Sequence, residues 1–371
     1  MPLQRLYVNG LRNLCDARLE GCGRINILMG PNGSGKTSFL EAIYLLGLGR
    51  SFRSIRQAPI INYEKDALTI YGELEQGGAD GYQSIGVLRS RLGKQGLRVN
   101  REPVENIAEL AKALPLQLIN SESFALVSGG PKMRRQFMDW GVFHVKPTFL
   151  GSWRNAQRCL RQRNHLLRAH GARRHDRIYT PELAAWDEEL ALCSASMDQL
   201  RARYIDDIRV HFDDILRRLT DLPPVSLNYQ RGWGADTGLQ AALESSFAQD
   251  VVRGSTTFGP QRANIDIRLG GVPAADVLSR GQLKMVVSSL RLAQGAHLAR
   301  QHGVRCVYLL DDLPAELDRE HRTALCRLID EMGCQAFITC PDADAIRHSW
   351  SDPGAVRRFH VKHGQALGEQ N

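Results

Sequence analysis

Two rhythms of apolar residues alternate along the 371 residues of this chain. Arg24 to Met29 (RINILM) is a short, mostly apolar run that predicts a buried strand, and Ser38 to Leu48 (SFLEAIYLLGL) carries apolar residues at helical spacing. The opening MPLQRLYVNGLRNL reads as a strand entering the fold, without the apolar stretch of a signal peptide. From about Ser54 to Arg101 the period shortens to two, with turns at QGGADG and RLGKQG; this predicts a small antiparallel sheet, which Leu97 to Pro103 continues.

The middle of the chain reads as helical. Trp153, Ala156, Leu160 and Leu167 form one apolar line, followed by a break at HGARRHD. Thr180-Pro181 then starts a second helix, a hydroxyl cap before a first-turn proline. Leu183, Trp186, Leu190, Cys193, Met197, Leu200, Tyr204, Ile208 and Ile215 keep a three-four spacing until Leu222-Pro223-Pro224. That predicts a long amphipathic helix with a coiled-coil-like seam, folded back on the first as an antiparallel hairpin. A strand (Val225 to Tyr229), a short helix (Leu239 to Gln249) and the segment GPQRANIDIRL (Gly259 to Leu269) follow. Helix Gly281 to Arg300, strand Arg305 to Leu310, helix Arg319 to Met332 and strand Gln335 to Thr339 then alternate as in a mostly parallel sheet, and the final GQALGEQN is expected to fray.

Composition narrows the class. No run approaches the roughly 18 to 20 apolar residues of a membrane span, so a cytoplasmic protein is expected. The eight cysteines show no C-x-x-C pair and no zinc-ligand spacing with histidine, and reduced, buried thiols are expected. The net charge of +8 is uneven: Pro131 to Arg177 holds twelve Lys or Arg against Asp139 and Asp176, a balance of +10 that leaves −2 elsewhere. A local excess of that kind is what a polyanion partner needs.

The chemistry begins at Gly30 to Thr37, GPNGSGKT, a G-x-x-x-x-G-K-T loop between a strand and a helix. Gly30, Pro31, Asn32, Gly33, Ser34 and Gly35 would present backbone N–H groups to phosphates, aided by the helix start. Lys36 would reach the β and γ phosphates of ATP, and the Thr37 hydroxyl would ligate Mg²⁺. About 240 residues later come LSRGQ (Leu278 to Gln282) and VYLLDD (Val307 to Asp312). Asp311 ends an apolar strand, where such enzymes hold magnesium, and Asp312 can act as general base. Ser279, Gly281 and Gln282 open a helix and form a second anion-binding corner.

The order loop, signature, DD and AELD (Ala315 to Asp318) resembles the ABC ATPases. A helical hairpin between loop and signature resembles the SMC-like branch that serves chromosomes and repair. Within it, LYVNGLRNL, GPNGSGKTSFLEAIYLLGLGRSFRS, VSGGPKMRRQFMDWGVFH, LSRGQLK and LLDDLPAELD together resemble the RecF family of bacterial recombination and repair proteins, nearly end to end. The resemblance implies an ATP-dependent homodimer that binds DNA and works with RecR and RecO to load RecA, each triphosphate sitting between one copy's loop and the other's signature. It also places Arg12 near the nucleotide. Departures are Gln261 in place of the histidine of a usual G-P-H-R, Asn264 at a nearby acidic position, and Cys340 near the switch histidine of transport-type relatives. Aspartate at 312, where most ABC ATPases have glutamate, is a family trait whose shorter reach implies slow hydrolysis.

The expected fold is therefore α/β: an ABC-type head made of residues 1–128 and 255–371, with a mostly parallel sheet and an antiparallel β subdomain, plus a helical arm at 129–254. Arg154, Arg158, Arg161 and Arg168, with His165, fall on one stripe of the first arm helix, extended by Arg173, Arg174 and Arg177. They are candidates for contact with a DNA backbone. The competing expectation is self-neutralisation, because Glu182 to Asp214 carries nine acids against three arginines. Rival functions are a transporter's nucleotide-binding subunit, a small-molecule kinase and a structural linker. The long insertion opposes the first, the signature the second and the shortness of the hairpin the third.

Overall fold

The computed structural model describes residues 2–54, 56, 58–75, 81–172, 179–234, 236–342, 346, 350 and 352–368. The chain divides into two compact units. The first joins both chain ends, residues 1–123 and 280–371, and takes in 215–221; the second comprises 124–214 and 222–279. The insertion thus runs from 124 to 279, rather than ending at 254, because the strands between 225 and 273 pair with each other and not with the head sheets.

In the first unit, one sheet has the strand order Gln365–Gly368, Val356–Lys362, Ile25–Met29, Gln335–Cys340, Val307–Leu310, Leu116–Ile119. All neighbours are parallel except the edge hairpin of the last two strands in sequence. Ile25–Met29 is buried at every position, as a strand covered on both faces must be. The second sheet is antiparallel and larger than expected: Ala17–Leu19 and Leu3–Asn9 extend Ala67–Glu75, Tyr82–Ser90, Gln95–Val99 and Glu102–Pro103. The strand run expected from near Ser54 starts only at Ala67.

Helix Lys36–Leu48 joins the two sheets into one core. Its Phe39, Ile43 and Leu46 share a buried cluster with Leu309 and Phe337 of the parallel sheet and with Ile70 and Ile85 of the antiparallel one. Each such side chain contributes about 1.5–3 kcal/mol when fully buried, so the helix that carries the phosphate loop is held firmly.

The carboxyl end is a correction. Gln365–Gly368 pairs with Val356–Lys362 rather than fraying, and the turn between them braces the phosphate loop. Gly364 N donates to Ser34 O at 2.9 Å, and Gly364 sits at φ +75° with no room for a Cβ, which would fall 2.2 Å from Asn13 O.

In the second unit, helices Phe149–Ala172 and Pro181–Leu219 form the antiparallel hairpin, and the longer one enters the first unit at Ile215. Pro131–Val145 is a further helix with proline in its first turn. The predicted helix at 239–249 is broken at Ser246 into Leu239–Ser245 and Phe247–Arg253. A three-stranded antiparallel sheet of Val272–Pro273, Asn264–Leu269 and Val225–Gln230 completes the unit.

The seam of the long helix is not purely apolar. Leu183, Leu190, Met197 and Tyr204 are buried as the spacing predicts, but the adjacent line holds Asp187, Ser194 and Arg201, also buried. Arg163, fully buried on the facing helix, donates to Asp187 at 2.6 Å, to Asp250 at 2.7 Å and to Thr256 Oγ1 at 3.0 Å. Tyr179 donates to the other Asp187 oxygen at 2.9 Å. A buried cation so completely partnered fixes the register of three helices, though an apolar replacement of matched shape could be as stable.

Candidate nucleotide site and basic arm

Lys36 opens the phosphate-loop helix, and Gly35 before it adopts φ +115°, a turn that L side chains rarely make. Gly30 stands at φ +147°, and a Cβ there would lie 2.3 Å from Val361 O. Pro31, Asn32 and Gly33 form an exposed crest, while Ser34, Gly35 and Lys36 are buried beneath it. The Lys36 ammonium donates to the carbonyls of Gly30 and Pro31 at 2.6 and 3.0 Å, which places its charge within the loop's curl. Ser34 Oγ is buried without a hydrogen-bond partner.

The distant carboxylates meet this loop. Thr37 Oγ1 donates to Asp311 Oδ1 at 2.9 Å, and Thr339 Oγ1 donates to the same oxygen at 2.7 Å. Thr339 also accepts from the Asp312 backbone N–H at 2.7 Å. Asp312 has the left-handed backbone φ 50°, ψ 44°, uncommon outside glycine and asparagine, and its side chain is exposed. Burial, then the Asp311 charge, raises the Asp312 carboxyl above the usual range, with Lys36 pulling the other way. Glycine-enriched turn geometry at a carboxylate beside a phosphate loop is the kind of local strain that clusters at working sites.

Several supports carried no sequence signal. Asn13 accepts from Ser38 Oγ at 3.0 Å and donates to Gly33 O at 3.4 Å, tying the turn after the first strand to the loop. Glu41, on the loop helix and fully buried, accepts both arms of Arg12 at 3.0 and 2.9 Å, with Arg53 at 3.7 Å and Ser51 also in contact. Arg12 is thus held by a carboxylate one helical turn beyond Thr37, at a strained φ of 52°. Only its pairing to an interior glutamate could have announced this, and a lone Glu in an apolar helix pattern is too common a feature to do so.

Ser279 precedes helix Arg280–His302, and Ser279, Gly281 and Gln282 are all exposed, with open space where a Gly281 Cβ would stand. Lys284, one turn on, pairs with Glu316 at 2.8 Å and so ties this helix to the AELD turn. Asp318 caps the following helix by accepting from His321 N at 3.0 Å, which holds its carboxyl below the usual range. Cys340 is fully buried in its strand, and burial pushes its thiol up to about 12, so it offers nothing like a histidine's proton chemistry.

On the arm, Arg154, Arg158, Arg161, His165 and Arg168 are all exposed along helix Phe149–Ala172. Arg158 pairs with Glu189 and lies over the Trp186 ring. Arg154, Arg161 and Arg168 make no ion pair among the described residues, so of these four stripe arginines only Arg158 is paired there with an acid of the partner helix. Acids of the partner helix are engaged elsewhere, Asp187 by Arg163 and Asp198 by Arg231 at 3.4 Å. Arg173, Arg174 and Arg177 lie outside the described residues. Gln261 donates to Phe258 O at 3.0 Å, and Asn264 accepts from Arg134 at 2.7 Å.

A head whose phosphate loop and carboxylate strand come from opposite ends of one chain, with a helical insertion between them, is that of an ABC-type ATPase. Residues 2–361 match the sequence model of the RecF/RecN/SMC N terminal domain, and the chain belongs to the RecF members of that family. It is 48% identical over 367 residues to the DNA replication and repair protein RecF of Pseudomonas putida F1, covering 98% of each chain. Identity to the protein of that name from Pseudomonas paraeruginosa PA7 is 49% over 366 residues, covering 98% and 97%. In fold it is similar to the recombination mediator protein RecF-ATP of the RecFOR pathway (TM-score 0.86, 24% identity, 99% and 97% covered). An Smc head bound to the C-winged helix domain of ScpA is more distant (TM-score 0.59, 13% identity, 100% and 97% covered). Among the described residues no helix is long and apolar enough to cross a membrane.

Proposed function

We propose that this chain is an ATP-gated DNA-binding switch of DNA repair and replication. Two copies would enclose two ATP molecules, each held by residues Gly30 to Thr37 of one copy and by Ser279, Gly281 and Gln282 of the other. Its main support is the contact of Thr37 with Asp311, made across nearly the whole chain, beside an Asp312 that is exposed and raised in proton affinity. Ser279, Gly281 and Gln282 are exposed, which supports completion of the site by a second copy.

Thr37 Oγ1 and Asp311 Oδ1 are hard oxygen donors that fit Mg²⁺ and would hold it. Bound there, the ion would supply positive charge to the phosphates. Lys36 adds its charge on the other side, and Asp312 would take the proton of the attacking water. One carboxylate of short reach fits slow turnover used as a timer. The RecFOR pathway of the solved relative supports RecR and RecO as partners; RecA loading at single-strand gaps or stalled forks, in the cytoplasm, extends that reading.

ATP hydrolysis measured with and without a gapped duplex tests this. Stimulation by DNA, lost in Lys36→Arg, is expected. Hydrolysis indifferent to DNA, together with no complex on gapped duplex at low salt, would reject the proposal and return the transporter alternative to consideration.

A further inference from the structure

Four guanidiniums gather around one loop of the second unit, and the carboxylates beside them fall short. Arg201 donates to Pro260 O at 2.9 Å, Arg135 to Ala263 O at 3.0 Å, and Arg134 to Asn264 Oδ1 at 2.7 Å. Arg262 is the loop's own exposed side chain. Asp139 accepts from both arms of Arg201 at 2.8 and 3.0 Å and so answers one of the four. Arg134 meets only neutral acceptors, the Asn264 amide and the carbonyls of Leu126, Val127 and Gly129. The next acid, Asp266, is taken by Arg268 at 2.6 Å. Arg135 and Arg262 make no ion pair among the described residues.

Carbonyl contacts explain Arg134, and a carbonyl with Asp139 explains Arg201, while Arg135 has a carbonyl contact but no carboxylate of its own among the described residues. Such contacts do not explain why Arg135 and Arg262 stand together unanswered. Burial, then the Arg201 charge, with Arg262 adding to it, lowers the Arg135 pKa against the pull of Asp139, the direction of crowded cations rather than of paired ones. The loop that holds them is pinned in place. Gly259 sits at φ +134° and Gly232 at φ +96°, and a Cβ on Gly232 would lie 2.5 Å from Gly259 O. Arg135 is hydrogen-bonded to the residue next to Arg262, so two cations without a carboxylate partner among the described residues stand at one loop, where an anion would relieve their repulsion.

We propose that Arg135 and Arg262 form a seat for a phosphodiester of a nucleic-acid backbone, separate from the stripe on helix Phe149–Ala172. Guanidinium forks match phosphate oxygens two at a time, and contact of this kind fixes a duplex in place without reading its sequence. Asn264 keeps the seat cationic, since an aspartate there would hand Arg134 a carboxylate and lower the local charge. The inference rests on the DNA-binding function proposed above.

The test is binding of a fluorescein-labelled gapped duplex across a potassium chloride series, with ATP and magnesium present. It compares wild type, Arg135→Gln/Arg262→Gln and the near-isosteric Asn264→Asp, each checked for an unchanged thermal melt. The double variant is expected to flatten the plot of log affinity against log salt by about 2, one per lost phosphate contact. Asn264→Asp is expected to weaken binding in the same direction with both arginines still present. Wild-type affinity and slope in folded double variant and in Asn264→Asp would overturn the seat while leaving DNA binding standing. No complex with wild type at any salt would instead bring down the DNA-binding function, and the seat with it.

Discussion

Thr37 and Asp311 touch, hydroxyl to carboxylate, at 2.9 Å, although 274 residues separate them in sequence. The contact exists because Ile25–Met29 and Val307–Leu310 both pair with Gln335–Cys340, one on each side, so that both strands end at the same edge of the sheet. A second hydroxyl, from Thr339 on the strand between them, holds the same Asp311 oxygen at 2.7 Å. The arrangement orients one carboxylate oxygen with two hydroxyls, one from the first turn of the loop helix and one from the neighbouring strand.

Asp311→Asn should therefore remove the magnesium dependence of nucleotide binding more than the binding itself. A charged acceptor lost here is worth about 1.5–3 kcal/mol, roughly ten- to a hundredfold in affinity. Titration of ATP with and without magnesium checks it: wild type should differ between the two conditions, and the variant should bind at the magnesium-free level in both.

As the proposed general base, Asp312 should set the pH profile of hydrolysis. Its carboxyl is raised by burial and by the neighbouring Asp311 charge, and a general base works only when deprotonated. Hydrolysis at saturating ATP should thus fall with decreasing pH along an acid limb that lies above the ordinary aspartate value of about 3.9. Asp312→Asn should lower turnover by about 10²–10⁴-fold and abolish that limb, with ATP affinity nearly unchanged. A variant that kept wild-type turnover would remove Asp312 from the chemistry.

The loop, its flanking strand and helix, and the DD strand end were legible from sequence because each is a local pattern with a local cause. Leu116–Ile119 was not seen: four residues of LQLI are too few for periodicity to separate strand from helix, and only pairing with Val307–Leu310 decides it. The strand Val356–Lys362 alternates in burial, but its partner Gln365–Gly368 is short and polar enough to resemble a frayed end. Arg163 enters the basic balance of the segment 131–177, because composition cannot tell an exposed arginine from one enclosed by two aspartates. Glu41 and Asn13 went unnoticed for a similar reason, since their roles lie entirely in partners far along the chain.

Arg163→Met should expose what that enclosure does. Removing the cation leaves Asp187 and Asp250 buried without it, at a cost of about 3–5 kcal/mol. Urea denaturation followed by circular dichroism should show the arm's helices melting at lower denaturant than in wild type. An unchanged midpoint would mean that the two aspartates find water or protons at little cost.

The sharing of each ATP between two copies is tested most directly by mass in solution, using Asp312→Asn to suppress turnover. With ATP and magnesium, sedimentation equilibrium should give twice the 41.5 kDa chain mass, and adding Ser279→Arg to the same variant should return it to a single chain while ATP still binds. A single-chain mass for Asp312→Asn at saturating ATP, or a dimer indifferent to Ser279→Arg, would contradict the account.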